Sequence, residues 1–137
     1  FKEPKNHIIL DEILSKEPLS PASDGSDQKL ADAMRWIIYA LIEAEEKGIT
    51  KENINQKVEM AKNNVQLKAL RRFLGIDGNL GDKIGLDNDF VVNVIRATGN
   101  YGEIYMNNLG EDSDVTIPRG LNSIYQNGGL HISPPFN

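Results

Sequence analysis

Side chains that could do chemistry are few in this chain and widely spaced. There are two histidines, His7 and His131, and no cysteine. A paired metal site on imidazoles would require two distant segments to meet, and no thiolate site or disulfide framework is available. Asp87 and Asp89 flank Asn88. They form a carboxylate pair suited to acid/base work or to calcium, and equally to capping the helix that the next residues begin. Asp77, Asn79 and Asp82 lie in a glycine-rich stretch without the ligand spacing or closing glutamate of a calcium loop. Gly75, Gly78 and Gly81 do not match a dinucleotide or phosphate loop, and no buried strand precedes them. Ser26 and Ser123 lack the setting of a nucleophile elbow. Lys68, Arg71 and Arg72 could hold an anion but suit the later turns of a solvated helix. Trp36, Tyr101 and Tyr105 could stack a ligand, although aromatics at helical spacing usually fill a core. No catalytic apparatus, cofactor site or metal site emerges, and the residues give an enzyme reading nothing to stand on.

The elements that carry these residues are mostly helices. His7-Ile8-Ile9-Leu10, extended by Ile13-Leu14, has the pattern of a short buried strand, and Pro18 and Pro21 then break regular structure up to Ser26. From Ser26 or Asp27, apolar residues recur at helical spacing to about Lys47, with Gly48 as the stop. Trp36, Ile38, Tyr39 and Ile42 widen that apolar arc, as in a central helix packed on two sides. Thr50 reads as the N-cap of a second helix, with Ile49 and Ile54 as its hydrophobic staple. Asn63 or Asn64 should cap a third that Gly75 ends, and Gly75 to Gly85 reads as a connection holding Leu80 and Ile84.

The stretch Gly85 to Gly110 reads as two amphipathic helices hinged at Gly99 and Gly102, the first capped by Asp87 or Asn88. An acidic loop, 111–116, follows. Pro118 then predicts a short helix over about Arg119 to Gln126, stopped by Gly128 and Gly129, before an extended tail. The fold class expected is predominantly α, five to six helices after a short N-terminal extended segment.

Composition narrows the function classes. The 137 residues suffice for one domain with a core, and 39% hydrophobic with 26% charged residues is ordinary for a globular chain. A net charge of −5 argues against a nucleic-acid partner, which needs a basic footprint. The longest apolar run, Trp36 to Ile42, is seven residues, against ~20 for a membrane span. A start at Phe1, without the charged and apolar regions of a signal peptide, predicts a mature form or a piece of a longer protein.

Several motifs in order resemble a known family. Gly85-Leu86-Asp87-Asn88-Asp89-Phe90, Gly99-Asn100-Tyr101-Gly102-Glu103-Ile104, Arg119-Gly120-Leu121-Asn122, Gly128-Gly129-Leu130 and Pro134-Pro135-Phe136 occur collinearly. So do Ile13-Leu14-Ser15-Lys16-Glu17-Pro18-Leu19 and the run from Trp36 to Glu46. The chain thereby resembles the C-terminal part of the periplasmic general L-amino-acid-binding proteins of ABC transporters. The resemblance implies an α/β parent of two lobes, of the type II periplasmic-binding-protein kind, which closes on an amino acid and delivers it to a membrane permease without catalysis.

On that plan residues 1–26 are the end of the second lobe and the crossover. Residues 27–137 pack on the first lobe, with 48–84 as an inserted helical segment and 111–137 as a C-terminal extension. The family's arginine near the crossover is missing from Ala22-Ser23-Asp24-Gly25-Ser26-Asp27, which keeps the glycine and Asp27. The resemblance also implies that the groups gripping the amino acid lie before Phe1, so no ligand-binding residue is expected here. Tyr101 and Tyr105 are expected to anchor the missing lobe, and the exposed face of the isolated chain, through the N-terminal strand or Trp36, to drive self-association. The other reading left open by the residues is an independent helical module for protein–protein interaction.

Overall fold

The long helix is the element whose sequence specifies both of its ends. In the computed structural model, which describes all residues except 1, 9, 13, 16–18, 112 and 137, helix α1 spans Gln28–Glu46. Asp27 caps it, its carboxylate accepting from the Leu30 amide at 2.9 Å. At the other end Gly48 takes φ +61°. The Ile49 amide then reaches back to the Ala44 carbonyl at 2.8 Å and the Gly48 amide to Glu45 at 3.0 Å, the paired bonds of a Schellman ending.

The chain continues through α2 (Ile54–Asn63), α3 (Lys68–Phe73), α4 (Leu80–Ile84), α5 (Phe90–Thr98) and α6 (Tyr101–Leu109). Single 3₁₀ turns lie at Pro4–Asn6, Gly120–Asn122 and Tyr125–Asn127. The described residues contain six α-helices and no strand beyond one isolated bridge between Ile124 and His131, which bears out the predominantly helical reading. None of these helices is long and apolar enough to cross a membrane.

The core lies where α1 meets α5. Ala40 and Ala44 on α1 have no exposed surface, and their small side chains let Phe90, Val91, Val92 and Ile95 of α5 approach closely. Ile49 and Ile54, 1% and 0% exposed, are both buried at the α1–α2 turn. Helix α2 begins only at Ile54, with Asn53 at its N-cap position, so Thr50 does not cap it and the two isoleucines are not the N′–N4 staple expected. Thr50 opens the turn. Its amide donates to Asn53 Oδ1, its hydroxyl accepts from the Asn53 amide, and the Ile54 amide bonds to its carbonyl at 3.0 Å.

The other boundaries move for tertiary reasons. Asn64 does not cap α3 but closes the end of α2, its amide bonding to the Ala61 carbonyl and its side chain accepting from the Gln66 amide, and α3 begins only at Lys68. The stretch Gly75 to Gly85 is not a plain connection, because α4 forms inside it. Helix α5 begins after Asp89, not after Asp87 or Asn88; Asn88 is engaged instead with Asp82, through both the Asp82 amide and its carboxylate. The helix expected over Arg119 to Gln126 splits into two 3₁₀ turns. The Leu121 carbonyl accepts from the Leu130 amide and the Tyr125 amide donates to the His131 carbonyl, so the returning tail takes both halves of a bond that a continuous helix would have made between them.

The strand expected at His7 to Leu14 is absent among its described residues; Ile9 and Ile13 lie outside them. A 3₁₀ turn precedes it, and Ile8, Leu10 and Leu14 are 88, 72 and 97% exposed. A strand needs a sheet to join, and the described residues supply none.

Candidate functional site

The residues singled out for chemistry do not converge. Asp77 is held by Arg71 in a two-pronged pair, Nε to Oδ2 at 2.7 Å and NH2 to Oδ1 at 2.8 Å, while NH1 of the same arginine donates to the Ala61 carbonyl. The pair holds the Asp77 carboxyl below its ordinary range. It joins α2, α3 and the following turn, and leaves no carboxylate free for an ion. Asp89 accepts from the Asn93 amide group, and Asp87 contributes its backbone carbonyl to the first turn of α5. Among the described residues no three His, Asp or Glu side chains come together as metal ligands would. A shallow groove lined by Phe73, Leu80, Phe90 and Phe136 encloses about 50 Å³, room for a water molecule or two and too little for a metabolite. Lys68 and Arg72 border an open depression beside Val65.

One polar cluster is elaborately built, and the sequence did not disclose it. Arg119 directs both terminal nitrogens at the Glu45 carboxylate, NH1 to Oε1 and NH2 to Oε2 at 3.1 Å, and NH2 also donates to the Asn122 carbonyl at 2.8 Å. The guanidinium carbon lies 5.7 Å from the ring centre of Tyr101 and 5.4 Å from that of Tyr105, within cation–π range. Tyr101 in turn packs on His131 with ring centres 4.6 Å apart. The Tyr105 hydroxyl donates to the Ile117 or Pro118 carbonyl, at 3.2 and 3.3 Å. Tyr101 and Tyr105 therefore engage the chain's own C-terminal segment, a partner the sequence reading did not assign to them. The Trp36 face is likewise occupied, by Phe136 and Tyr39.

At the adjoining hinge, Asn100 caps α6 in a full capping box. Its side chain accepts from the Glu103 amide at 2.9 Å, and Glu103 accepts from the Asn100 amide at 2.8 Å. The Asn100 side chain also donates to the Ile49 carbonyl, Glu103 accepts from the Lys51 amide, and Lys51 Nζ caps the end of α5 at the Ala97 carbonyl. The Asn-x-x-Glu spacing was the signal for this box. Nothing near Arg119 in sequence points to Glu45, 74 positions away.

Glu46, next to that pair, accepts from the Ser133 amide at 3.0 Å. Burial, with the Glu43 carboxylate beside it, pushes its carboxyl above the ordinary value of 4.5 despite the Ser133 bond. A carboxyl that binds its proton more tightly folded than unfolded contributes stability that is present below pH 4.5 and is lost as pH rises through the folded value. Glu46→Gln keeps an acceptor for Ser133 and removes that loss. Melting temperatures measured from pH 4.5 to 7 should therefore show the variant gaining on the parent chain as pH rises. A gap that stays flat or shrinks would assign the titration elsewhere. His131, lowered by its own burial and by Arg119, has the opposite slope below 6.5 and cancels in this difference.

The charged groups of these clusters are paired with one another, although Arg119 Nε is a buried donor without a hydrogen-bond partner among the described residues, so the geometry supports docking of segments. No protein-family model matches the chain. It is 46% identical over 129 residues to the glutamate/glutamine/aspartate/asparagine-binding protein BztA of Rhodobacter capsulatus, which covers 94% of this chain and 37% of that protein. It is 45% identical to the general L-amino acid-binding periplasmic protein AapJ of Rhizobium johnstonii, over 98% of this chain and 39% of AapJ. A solved structure of an ABC transporter periplasmic binding protein from Brucella ovis, with glutathione bound, superposes with a TM-score of 0.85 at 41% identity, covering 98% of this chain and 41% of that one.

The chain is homologous to the C-terminal part of periplasmic amino-acid-binding proteins of ABC transporters.

It thus spans about two fifths of the length of these relatives. The relatives are binding proteins, and the TM-score extends the likeness from sequence to the arrangement of the helices. Because the Rhizobium alignment takes in 98% of the chain, the segments 48–84 and 111–137 are shared with that relative.

Proposed function

We propose that this chain is the C-terminal part of a periplasmic solute-binding protein that captures L-amino acids between two lobes and passes them to an ABC permease. The observation that carries the reading is likeness over 98% of the chain in both sequence and structure to proteins about two and a half times as long. In this proposal the chain takes no part in catalysis and holds none of the groups that grip the ligand. Residues 1–26 end the second lobe and cross over, and residues 27–137 pack on the first. The Arg119–Glu45 and Arg71–Asp77 pairs support this placement, since in each the two charges are committed to one another and not to an amino acid's carboxylate or ammonium. The exposed Ile8, Leu10, Leu14 and Leu19 fit a segment whose cover is supplied by the remaining lobes, and they are where we place any self-association of the chain alone.

Isothermal titration tests the reading. The chain by itself should give no heat of binding with glutamate, glutamine, aspartate or asparagine at about 1 mM, whereas the whole protein should bind at micromolar levels or tighter. Micromolar binding by the chain alone would overturn the placement of the site, and a whole protein indifferent to amino acids would overturn the function.

A further inference from the structure

Phe136, in the segment 111–137, packs on Phe73, in the segment 48–84. Phe136 is 6% exposed, with its ring centre 5.0 Å from Trp36 on α1 and 5.0 Å from Phe73 on α3, edge-on to both. We propose that residues 130–136 are a strap on which the order of α3 and α4 depends, with Phe136 bridging α3 to α1. Helix α3 has six residues and α4 has five, and neither has a side-chain cap at its N-terminus. Helices far below ~12 residues are held by packing and not by their own bonds, so what packs on Phe73 decides whether α3 persists.

The strap is tied at its start, where Leu130 and His131 donate their amides to the Leu121 and Ser123 carbonyls and the His131 carbonyl accepts from Tyr125, and beyond that point it is held by few contacts. Ser133 donates its amide to Glu46, Pro134 and Pro135 restrict the backbone beyond it, and Phe136 supplies the ring. Among the described residues no backbone–backbone hydrogen bond involves 132–136. Helix α4 rests on α1, as α6 does, and α3 on α2, but α6 differs in having a capping box at its start. Loosening the strap should open 67–84 before it touches α6, as local opening follows the least supported elements.

Hydrogen exchange followed by mass spectrometry on the whole chain tests this. In Phe136→Ala, amides of 67–84 are expected to exchange about tenfold faster or more, and those of Tyr101–Leu109 less than about threefold faster. Equal acceleration in both regions would make Phe136 an ordinary core residue and overturn the strap, as would unchanged exchange in 67–84. If Phe136→Ala fails to fold, Phe136→Leu, which retains most of the volume, is judged on the same contrast.

Discussion

Gly75→Ala is expected to cost on the order of 3–5 kcal/mol of stability, enough to lower the melting temperature by roughly 10–15 °C in a chain of this size. Gly75 ends α3 with φ +69°, and its amide and that of Ile76 return to the Arg72 and Arg71 carbonyls at 3.1 and 2.9 Å. A left-handed backbone alone costs alanine about 1–2 kcal/mol. The larger part is contact, because a Cβ at Gly75 would lie 1.8 Å from the Asn88 carbonyl oxygen and 2.5 Å from its carbon. That atom is backbone in the turn entering α5, so relief requires moving the α3 ending or the start of the core helix. Gly48→Ala separates the two contributions. It has φ +61° with nothing within 4 Å of the added carbon, and should lose only about 1 kcal/mol. Equal losses in the two variants, followed by thermal or urea unfolding, would remove the close approach as the cause.

The same contact explains why parts of the fold were unreadable in the sequence. Helix α1 was legible because Asp27, the apolar period and Gly48 all act within a few residues of the backbone they specify. Helix α5 was legible by its apolar face for a similar reason. Helix α4 was not, because five residues including Gly81 carry little helical signal. It exists where Gly81 seats against the turn at Asp87–Asn88, so closely that a Cβ would fall 2.3 Å from the Asp87 carbonyl. The tail was misread for the converse reason. Pro118 is a sound helix opener, but the Leu121 carbonyl is claimed by the Leu130 amide and the Tyr125 amide by the His131 carbonyl, which removes the bond a helix would have made between them. Tyr105 carried a correct local signal, an aromatic on an apolar face, but not its partner in the C-terminal segment. Its hydroxyl selects carbonyls at 117 and 118, a choice that helical spacing does not contain. The Arg119–Glu45 cluster was invisible for the same reason, and it carries the other large effect.

Glu45→Ala should lower stability by about 2–3 kcal/mol, seen as a fall of roughly 8 °C in melting temperature. The side chains of Arg119 and Glu45 are 17% and 12% exposed. Breaking a fully buried pair leaves a charge without its partner, at about 3–5 kcal/mol; the residual exposure here reduces that figure. Without Glu45 the guanidinium would remain between the rings of Tyr101 and Tyr105, bonded only to the Asn122 carbonyl. The pair is also tightly packed. Gly102 borders the pair so tightly that a Cβ there would stand 2.9 Å from Glu45 Cδ and 3.0 Å from Arg119 NH1. The pair's net value to folding is a separate quantity from the cost of breaking it. Replacing both partners by leucine should therefore recover much of the loss, because no uncompensated charge remains. If the double variant is as unstable as Glu45→Ala, the cluster works through the fixed geometry of the two-pronged bond, and burial of an unpaired charge is not what makes the single change costly.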